Sequence, residues 1–426
     1  MKPYASYKPS GVPWLGGDIP SQWAPKRVKH VAAMQSGEGI TAETIDESGT
    51  YPVYGGNGIR GFTTEKTHSG EFVLVGRQGA LCGNVHHVVG DFWASEHAVV
   101  STLYAGDKPR WAAYMLEFMN LGQYSMAAAQ PGLAVDKIQQ LRLPVPPPDE
   151  QQAIADYLDV ETARIDTLIH EKDELIGLLR EWRQSVIAEA VTKGLNKEAL
   201  MKASGVAVLG EVPSHWEVKK IRYVLEAIGD VDHFMPESVD KGVPYLMTGD
   251  LKDLVSEVSL DECKQVAYKD YLALSKRIKS SKGDVVMARY ATIGTAMYVD
   301  MDIDFLVSYS CVTLKPNQSN MSGLYLFQYM KSDAFLHGVE NQINTNTQGN
   351  VGISDLQNVM IAVPPLLEQK AISEYLDTET TKIDGLVAHT HDEITLLKEL
   401  RAATIADAVL GRIDVRGTAK KIAAFA

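Results

Sequence analysis

The segment PVPPPDEQQAIADYLDVETARIDTLI (144–169) returns as AVPPLLEQKAISEYLDTETTKIDGLV (362–387). Pro146-Pro147, Glu150-Gln151, Tyr157-Leu158-Asp159 and Ile165-Asp166 recur as Pro364-Pro365, Glu368-Gln369, Tyr375-Leu376-Asp377 and Ile383-Asp384, always 218 residues later. The same interval holds from Gln130 and Gln348 to Ile187 and Ile405. A second echo has another interval: SGVPWLGGDIPSQW (10–23) returns as SGVAVLGEVPSHW (204–216), with Trp23 matching Trp216 193 residues on. The chain therefore runs as a short opening motif, a variable region and a long periodic segment, twice over, and the second variable region is about 25 residues longer. Internal repetition of this kind restricts the fold to two copies of one architecture.

Each periodic segment reads as one long helix. No proline occurs from Asp149 to Val191, and Ile154, Leu158, Ile165, Leu168, Leu175, Leu179, Trp182 and Val186 fall at steps of four and three, with Glu161 and Lys172 in the remaining positions. That spacing predicts a 3.5-residue seam of the coiled-coil type. The second copy carries Ile372, Leu376, Ile383, Leu386, Ile394, Leu397, Leu400 and Ile405, with Glu379 and Thr390 as its polar members. Some 42 residues at 1.5 Å each give a rod of about 60 Å. Pro146 to Pro148 stop any upstream helix, and Asp149 and Glu150 suit the positive end of the helix dipole. A lone stripe of this length would stay wet, so the two copies are expected to pair, and antiparallel, since a pseudo-two-fold axis would put one variable domain at each end.

Between these helices, short apolar runs punctuated by Gly, Pro and Asn predict strands: GEFVLVGRQGALCGNV (70–85) beside GDVVMARYATIGTAMY (283–298), and FWASEHAVV (92–100) beside FLVSYSCVT (305–313). WAAYMLEFMN (111–120) and LYLFQYMKSD (324–333) predict short helices. The expected division is an opening motif at 1–23, a domain at 24–148, a helix at 149–195, a linker with the repeated motif at 196–216, a second domain at 217–366, a second helix at 367–412 and a tail at 413–426. The fold class is α+β: two α/β domains separated by two long antiparallel helices that form a coiled coil, with pseudo-two-fold internal repetition.

Of 426 residues, 45% are apolar and 22% charged, an ordinary globular balance. MKPYASYKPS lacks the apolar core of a signal peptide, and no run of about 18 apolar residues exists to span a bilayer. Cys82, Cys263 and Cys311 are too scattered for a zinc or redox pair and read as reduced thiols of a cytosolic protein. The net charge of −13 argues against nucleic acid when taken whole, but residues 149–195 hold −6 and residues 367–412 hold −4. The acid sits on the helices, where it is either a solvated face or a docking surface. The domains are left nearly neutral and free to have basic faces.

YPVYGGNGIRG (51–61) carries Gly56, Gly58 and Gly61 in the spacing of a dinucleotide fingerprint. That motif needs a helix immediately after it, and FTTEKTHSG opens none. Asn57-Gly58 instead signals a tight turn. The turn either presents Asn57 and Arg60 to a groove, where Asn suits adenine and Arg guanine, or merely joins two strands. Lys66, His68, Arg77, Gln78, His86 and His87 are further candidates in the first domain. In the second, Lys269, Lys276, Arg277, Lys279, Lys282 and Arg289 cluster with Tyr268, Tyr271, Tyr290 and Ser280-Ser281, a composition that suits phosphate contacts or a solvated face. No G-x-x-x-x-G-K-[ST] loop and no [ND]-P-P-[YF] motif occurs. Asp250, Glu262 and Lys264 resemble a nuclease carboxylate set only faintly, and Ser95-Glu96-His97 is adjacency without a triad's geometry. No catalytic or metal-binding residue is assigned.

The doubled opening motif, the twin PP…EQ…I…YLD…ET…ID segments and VTKGL at 191–195 resemble the specificity subunit of Type I restriction–modification enzymes. YPVYGGNGIRGF, FVLVGRQGALCGNV and FWASEHAVV look like one class of that family's target-recognition domains. The resemblance implies two such domains, each reading one half of an asymmetric bipartite site in double-stranded DNA. It implies helices that set the spacer and dock two adenine-N6 methyltransferase subunits, with Ile154, Leu158, Ile165, Leu168, Ile372, Leu376, Ile383 and Leu386 marking them. Two motor–nuclease subunits join when the complex restricts. S-adenosylmethionine, and ATP with Mg²⁺, belong to those partners and not to this chain, and the setting is the prokaryotic cytoplasm. The half-sites are expected about one helical turn, ~34 Å, apart. Val208 replaces Trp14 in the second opening motif, which should remove a packing contact. The remaining alternatives are a protein-binding coiled-coil scaffold and a self-sufficient nuclease.

Overall fold

The computed structural model describes residues 2–125, 132–290, 292–342 and 350–417. Gln130 and Gln348 lie outside the described residues. The chain divides into two compact units, Met1–Asp173 with His391–Ala426, and Glu174–Thr390.

The first unit opens on an antiparallel pair, β1 (Tyr7–Pro9) and β2 (Asp18–Pro20). It continues through β3 (Ala24–Arg27), β4 (Ala32–Ser36), β5 (Tyr51–Gly55), β6 (Gly58–Thr63), β7 (His68–Gly76), β8 (Val85–Ala94) and β9 (Ala98–Leu103). β4 to β9 form a six-stranded sheet in the order β4-β9-β7-β8-β5-β6. All its pairs are antiparallel except β5 with β8. Helix α1 (Pro109–Phe118) starts on a proline, whose missing N–H costs nothing in a first turn, and buries Trp111, Ala112, Tyr114 and Met115 against the sheet. Then come α2 (Val135–Gln140) and β10 (Arg142–Val145), which pairs with β3 and closes the domain beside its opening motif. The long helix α3 (Pro148–Lys193) follows directly.

The second unit repeats this plan with β11 (Met201–Ala203), β12 (Glu211–Pro213), β13 (Glu217–Lys220), β14 (Leu225–Gly229), β15 (Ser238–Leu246), β16 (Lys264–Val266), α4 (Tyr268–Leu274), β17 (Val285–Ala288), β18 (Ala296–Tyr298), β19 (Leu306–Val307) and β20 (Cys311–Pro316). Helices α5 (Gly323–Met330), α6 (Asp333–Glu340) and α7 (Ile353–Asn358) precede β21 (Met360–Val363) and the long helix α8 (Leu366–Val409). β13 pairs with β21 as β3 pairs with β10, and the two intervals meet in this ladder: Ala24↔Val145 becomes Glu217↔Val363. The sheet itself differs. It is split into β14-β20-β17-β18 and β16-β15-β19. The reason is local: β8 runs unbroken for ten residues, whereas its counterpart is interrupted between β18 and β19 by MDID (301–304), a segment poor in strand formers. Most of the second copy's extra length falls between β15 and β17, where α4 sits.

α3 and α8 pair antiparallel within each unit. In the first, Asp166 meets Arg401 at 2.9 Å and Lys172 meets Glu393 at 2.7 Å, the partner number falling as the other rises. In the second, Arg183 binds Asp384 at 2.9 Å, the same pair moved 218 residues along both helices. The buried seam corrects the expected 3.5-residue spacing. Leu175 and Trp182 are 39% and 50% exposed, while Ile176 and Leu179 are buried and Arg183 is half-buried. Ile154, Ile165, Ile176 and Ile187 are all buried and recur every 11 residues, as do Ile372, Ile383, Ile394 and Ile405. Eleven residues make three turns of 3.67, close to the natural helical period, so the row follows the axis with little supercoiling.

Both helices end on a left-handed glycine, Gly194 (φ +74°) and Gly411 (φ +67°), packed on the opening-motif tryptophan of its unit, Trp216 or Trp23. These tryptophans have no exposed surface. The Glu-Gln pair heading each helix explains the repeated motif. Gln151, fully buried, accepts from the Lys108 N–H and donates to Asp107 and the Pro146 carbonyl; Gln369 accepts from the Ser322 N–H and donates to the Asn320 and Pro364 carbonyls. Glu150 accepts from Trp23 Nε1 at 2.9 Å, and Glu368 bonds His215 at 2.8 Å. Trp14 donates its indole N–H to the Arg142 carbonyl and packs on Phe118, a bond that Val208 cannot make in the second copy.

Candidate nucleic-acid interface

The glycine run forms a hairpin and no phosphate loop. β5 and β6 pair with Gly55 opposite Gly58, and Gly58 takes φ +91° at the tip. The glycines at 56 and 76 serve close approach: a Cβ on Gly56 would lie 2.6 Å from the Gln78 carbonyl, and one on Gly76 would collide with the Gly56 carbonyl. The tip is thereby pressed backbone to backbone against the end of β7.

Three segments converge there. Asn84 donates to Asn57 across the tip at 2.7 Å. His97 Nδ1 bonds Gln78 Oε1 at 2.9 Å. Asn57, Arg60, Gln78 and Asn84 are exposed, and His86 lies half-buried beneath Gly58, its imidazole held below the ordinary value by burial. Amides and imidazoles of this kind, bonded to one another at a surface, have the donor–acceptor pairs that base edges present. Nothing in the local sequence marks Asn84 or ties His97 to Gln78. Both lie far from their partners along the chain.

The two domains share an anchoring arginine. Arg77 N–H donates to the His97 carbonyl and its own carbonyl accepts from Leu133; Arg289 does the same with Ser310 and Val351. One residue on, Gln78 bridges Gly132 and Tyr290 bridges Asn350, pairs that again reflect the 218-residue interval at 132 and 350. Both guanidinium groups turn back toward the sheet. Arg77 donates to Ser36 Oγ at 3.0 Å. Arg289, 5% exposed, is clamped on Asp230 at 2.6 Å and reaches the Val351 and Tyr309 carbonyls. Arg289 therefore cannot be the DNA contact that its place in a basic run suggested.

The other expected cations separate into two sets. Lys66 is tied to Asp91 at 2.7 Å, Arg277 to Asp230 and Asp232, and Lys279 to Asp304 at 2.8 Å. The bonds from Asp91 and Asp304 raise the two lysines above their ordinary value. Lys269, Lys276 and Lys282 are exposed and carry no carboxylate partner among the described residues. Ser280 is buried on Thr313 and Tyr271 is buried on Asp304, so neither faces a ligand. Asp250 spends its carboxylate on the Met247 N–H and Glu262 is exposed; no group of three or more metal-ligating side chains occurs among the described residues.

The residues that mark the docking helices lie mostly in the buried seam. Ile154, Leu158, Ile165, Ile372, Leu376 and Ile383 are 0–1% exposed inside their own units, and Leu168 is half-buried. Only Leu386, at 48%, offers surface. A duplicated set of open apolar side chains lies on another face: Leu178 (62%) and Trp182 (50%) on α3, and Leu396 (63%) and Leu400 (47%) on α8. These too are related by 218 residues. The three cysteines are free and buried, and no helix among the described residues is long and apolar enough to cross a membrane.

Residues 20–176 and 213–396 match the family described as Type I restriction modification DNA specificity domain. The EcoprrI specificity subunit of Escherichia coli is 47% identical over 154 residues, 35% of this chain and 37% of that protein. The chain thus spans little more than a third of that relative's length in the match. A putative type I specificity subunit of Haemophilus influenzae, S.HindORF215P, is 26% identical over 343 residues, 80% of this chain and 82% of its own. Among solved structures, a chain from work on complex assembly and conformational transition of the type I R–M system aligns with a TM-score of 0.69 at 16% identity, covering 93% of this chain and 99% of that one. The HsdS subunit from Thermoanaerobacter tengcongensis aligns with a TM-score of 0.54 at 17% identity, covering 94% and 99%. At such identities the likeness is one of fold.

Proposed function

The chain belongs to the family of Type I restriction–modification DNA specificity subunits, and from that premise we propose that its two domains each read one half of an asymmetric bipartite site in double-stranded DNA. It is a recognition subunit and not itself an enzyme. One observation carries the bipartite reading: two domains on one duplicated ladder present different polar groups at the same register, Gln78 and His97 against Tyr290 and Ser310. A duplicated scaffold with unlike reading surfaces fits two unlike half-sites. Single-molecule methylome sequencing of a host carrying this chain and its methyltransferase tests it. Two dissimilar half-sites around an unread spacer are expected, and a symmetric motif would overturn the reading.

The partners follow from the same duplication. The patches Leu178–Trp182 and Leu396–Leu400 are exposed copies of one another, which supports two equivalent docking sites for two methyltransferase subunits. Two motor–nuclease subunits complete the restricting form. S-adenosylmethionine serves the methyltransferases and ATP with Mg²⁺ the motors, in a prokaryotic cytoplasm. Replacing Leu178 and Trp182 together by Asp should reduce the methyltransferase subunits bound from two to one by native mass spectrometry. Thermal stability should barely change, since exposed substitutions cost little.

A further inference from the structure

We propose that the residue immediately after the anchoring arginine, Gln78 in the first domain and Tyr290 in the second, is the side chain that reads a base in its half-site, and that Arg77 and Arg289 position it. This rests on the bipartite reading above. Arg77 is fixed on both sides by main-chain bonds to His97 and Leu133, and Arg289 by bonds to Ser310 and Val351, so the next Cα has little freedom. The arginines themselves are spent inward, on Ser36 and on Asp230. What they leave toward the surface is the following residue, exposed in Gln78 and half-buried in Tyr290.

Gln78 is exposed, and His97 holds its Oε1, which aims the amide NH₂ away from the protein. Gly79 beyond it has nothing within 4 Å of a would-be Cβ, so open space lies on that side. The hairpin tip with Asn57 and Asn84 is brought alongside by Gly56, whose close approach is to Gln78 itself. A held primary amide pairs with the N6 and N7 of adenine in the major groove, and its second lone pair survives the bond from His97. Tyr290 stands at the same register with a different chemistry. Its ring lies under the Arg289 guanidinium, 5.5 Å from centroid to carbon, and its hydroxyl lies 3.4 Å from Asn350 Nδ2. The lysines that remain open, Lys269, Lys276 and Lys282, are flexible point charges suited to phosphate, which carries no sequence information.

The test uses the methyltransferase complex in a host whose genome is read by single-molecule sequencing. Gln78→Ala should lower methylation at cognate sites about tenfold or more, with one base pair of the first half-site becoming degenerate. Gln78→Glu is nearly isosteric and now accepts only, so preference at that same pair should move toward cytosine. Tyr290→Phe should relax one pair of the second half-site and leave the first unchanged. Wild-type motifs retained base for base in both Gln78 variants would overturn the assignment, as would base degeneracy appearing equally in both half-sites. Either result leaves the bipartite reading standing if the wild-type complex methylates two unlike half-sites, and that reading alone fails if it does not.

Discussion

Gln151 and Gln369 each join the head of a long helix to the loop before a short one, and each is buried with its amide saturated. Leucine at either position keeps the volume and orphans those partners, at roughly 1–3 kcal/mol for each buried group left unpaired. Hydrogen exchange should report the loss from Gln151→Leu in the first unit and from Gln369→Leu in the second. Uniform loss in both units would contradict two separate cores. His68 and His86 give the first unit an acid-side weakness. Burial holds both imidazoles below their ordinary value, so the folded state favours the neutral form. Their stabilising contribution is complete above the unfolded value of about 6.5 and is lost as pH falls through the folded one. The melting temperature should drop from pH 7.5 to 5, and His68→Gln with His86→Gln should flatten the drop. At this scale the sequence was only partly readable. Arg77 and Arg289 look alike along the chain, but whether each faces DNA or the core depends on Ser36 and Asp230, about 40 and 60 residues upstream. Local patterning carries no signal of such a distant partner.

At the scale of the element, the twin helices were evident from unbroken periodicity, and their antiparallel pairing from the need to bury two stripes. The seam was harder. Leu175 and Trp182 lie next to Ile176 and Arg183, so an apolar row can be traced through either set, and a heptad template selects the wrong one. The structure selects the row of isoleucines because Arg183 reaches Asp384 and Asp253 from that face. Ile176→Ala should therefore destabilise by roughly 2–5 kcal/mol, with Leu175→Ala within about 0.5 kcal/mol of wild type, in chemical denaturation. The reversed order would restore the 3.5-residue seam. The strands illustrate another limit. MDID (301–304), which falls between the two apolar runs at 283–298 and 305–313, divides the β8 counterpart and splits the sheet, an outcome that the runs themselves do not encode.

For the whole molecule, the helices carry −10 of the −13 charge, so the acid that argued against nucleic acid lies off the domains proposed to read it. The long helices then carry two duties in the proposed complex, docking and measuring. If helix length sets the unread spacer, the 11-residue row says which changes are tolerated. One additional 11-residue period in both α3 and α8 keeps every isoleucine on its face to within about 20°. It adds about 16.5 Å, near five base pairs at 3.4 Å each. A nine-residue insertion adds almost as much length and turns the rest of each stripe by about half a turn, away from its partner. Methylome sequencing should find the 11-residue variant active on unchanged half-sites with a spacer about five base pairs longer, and the nine-residue variant inactive. An active 11-residue variant with the original spacer would separate helix length from spacing, leaving the rods as docking surfaces alone.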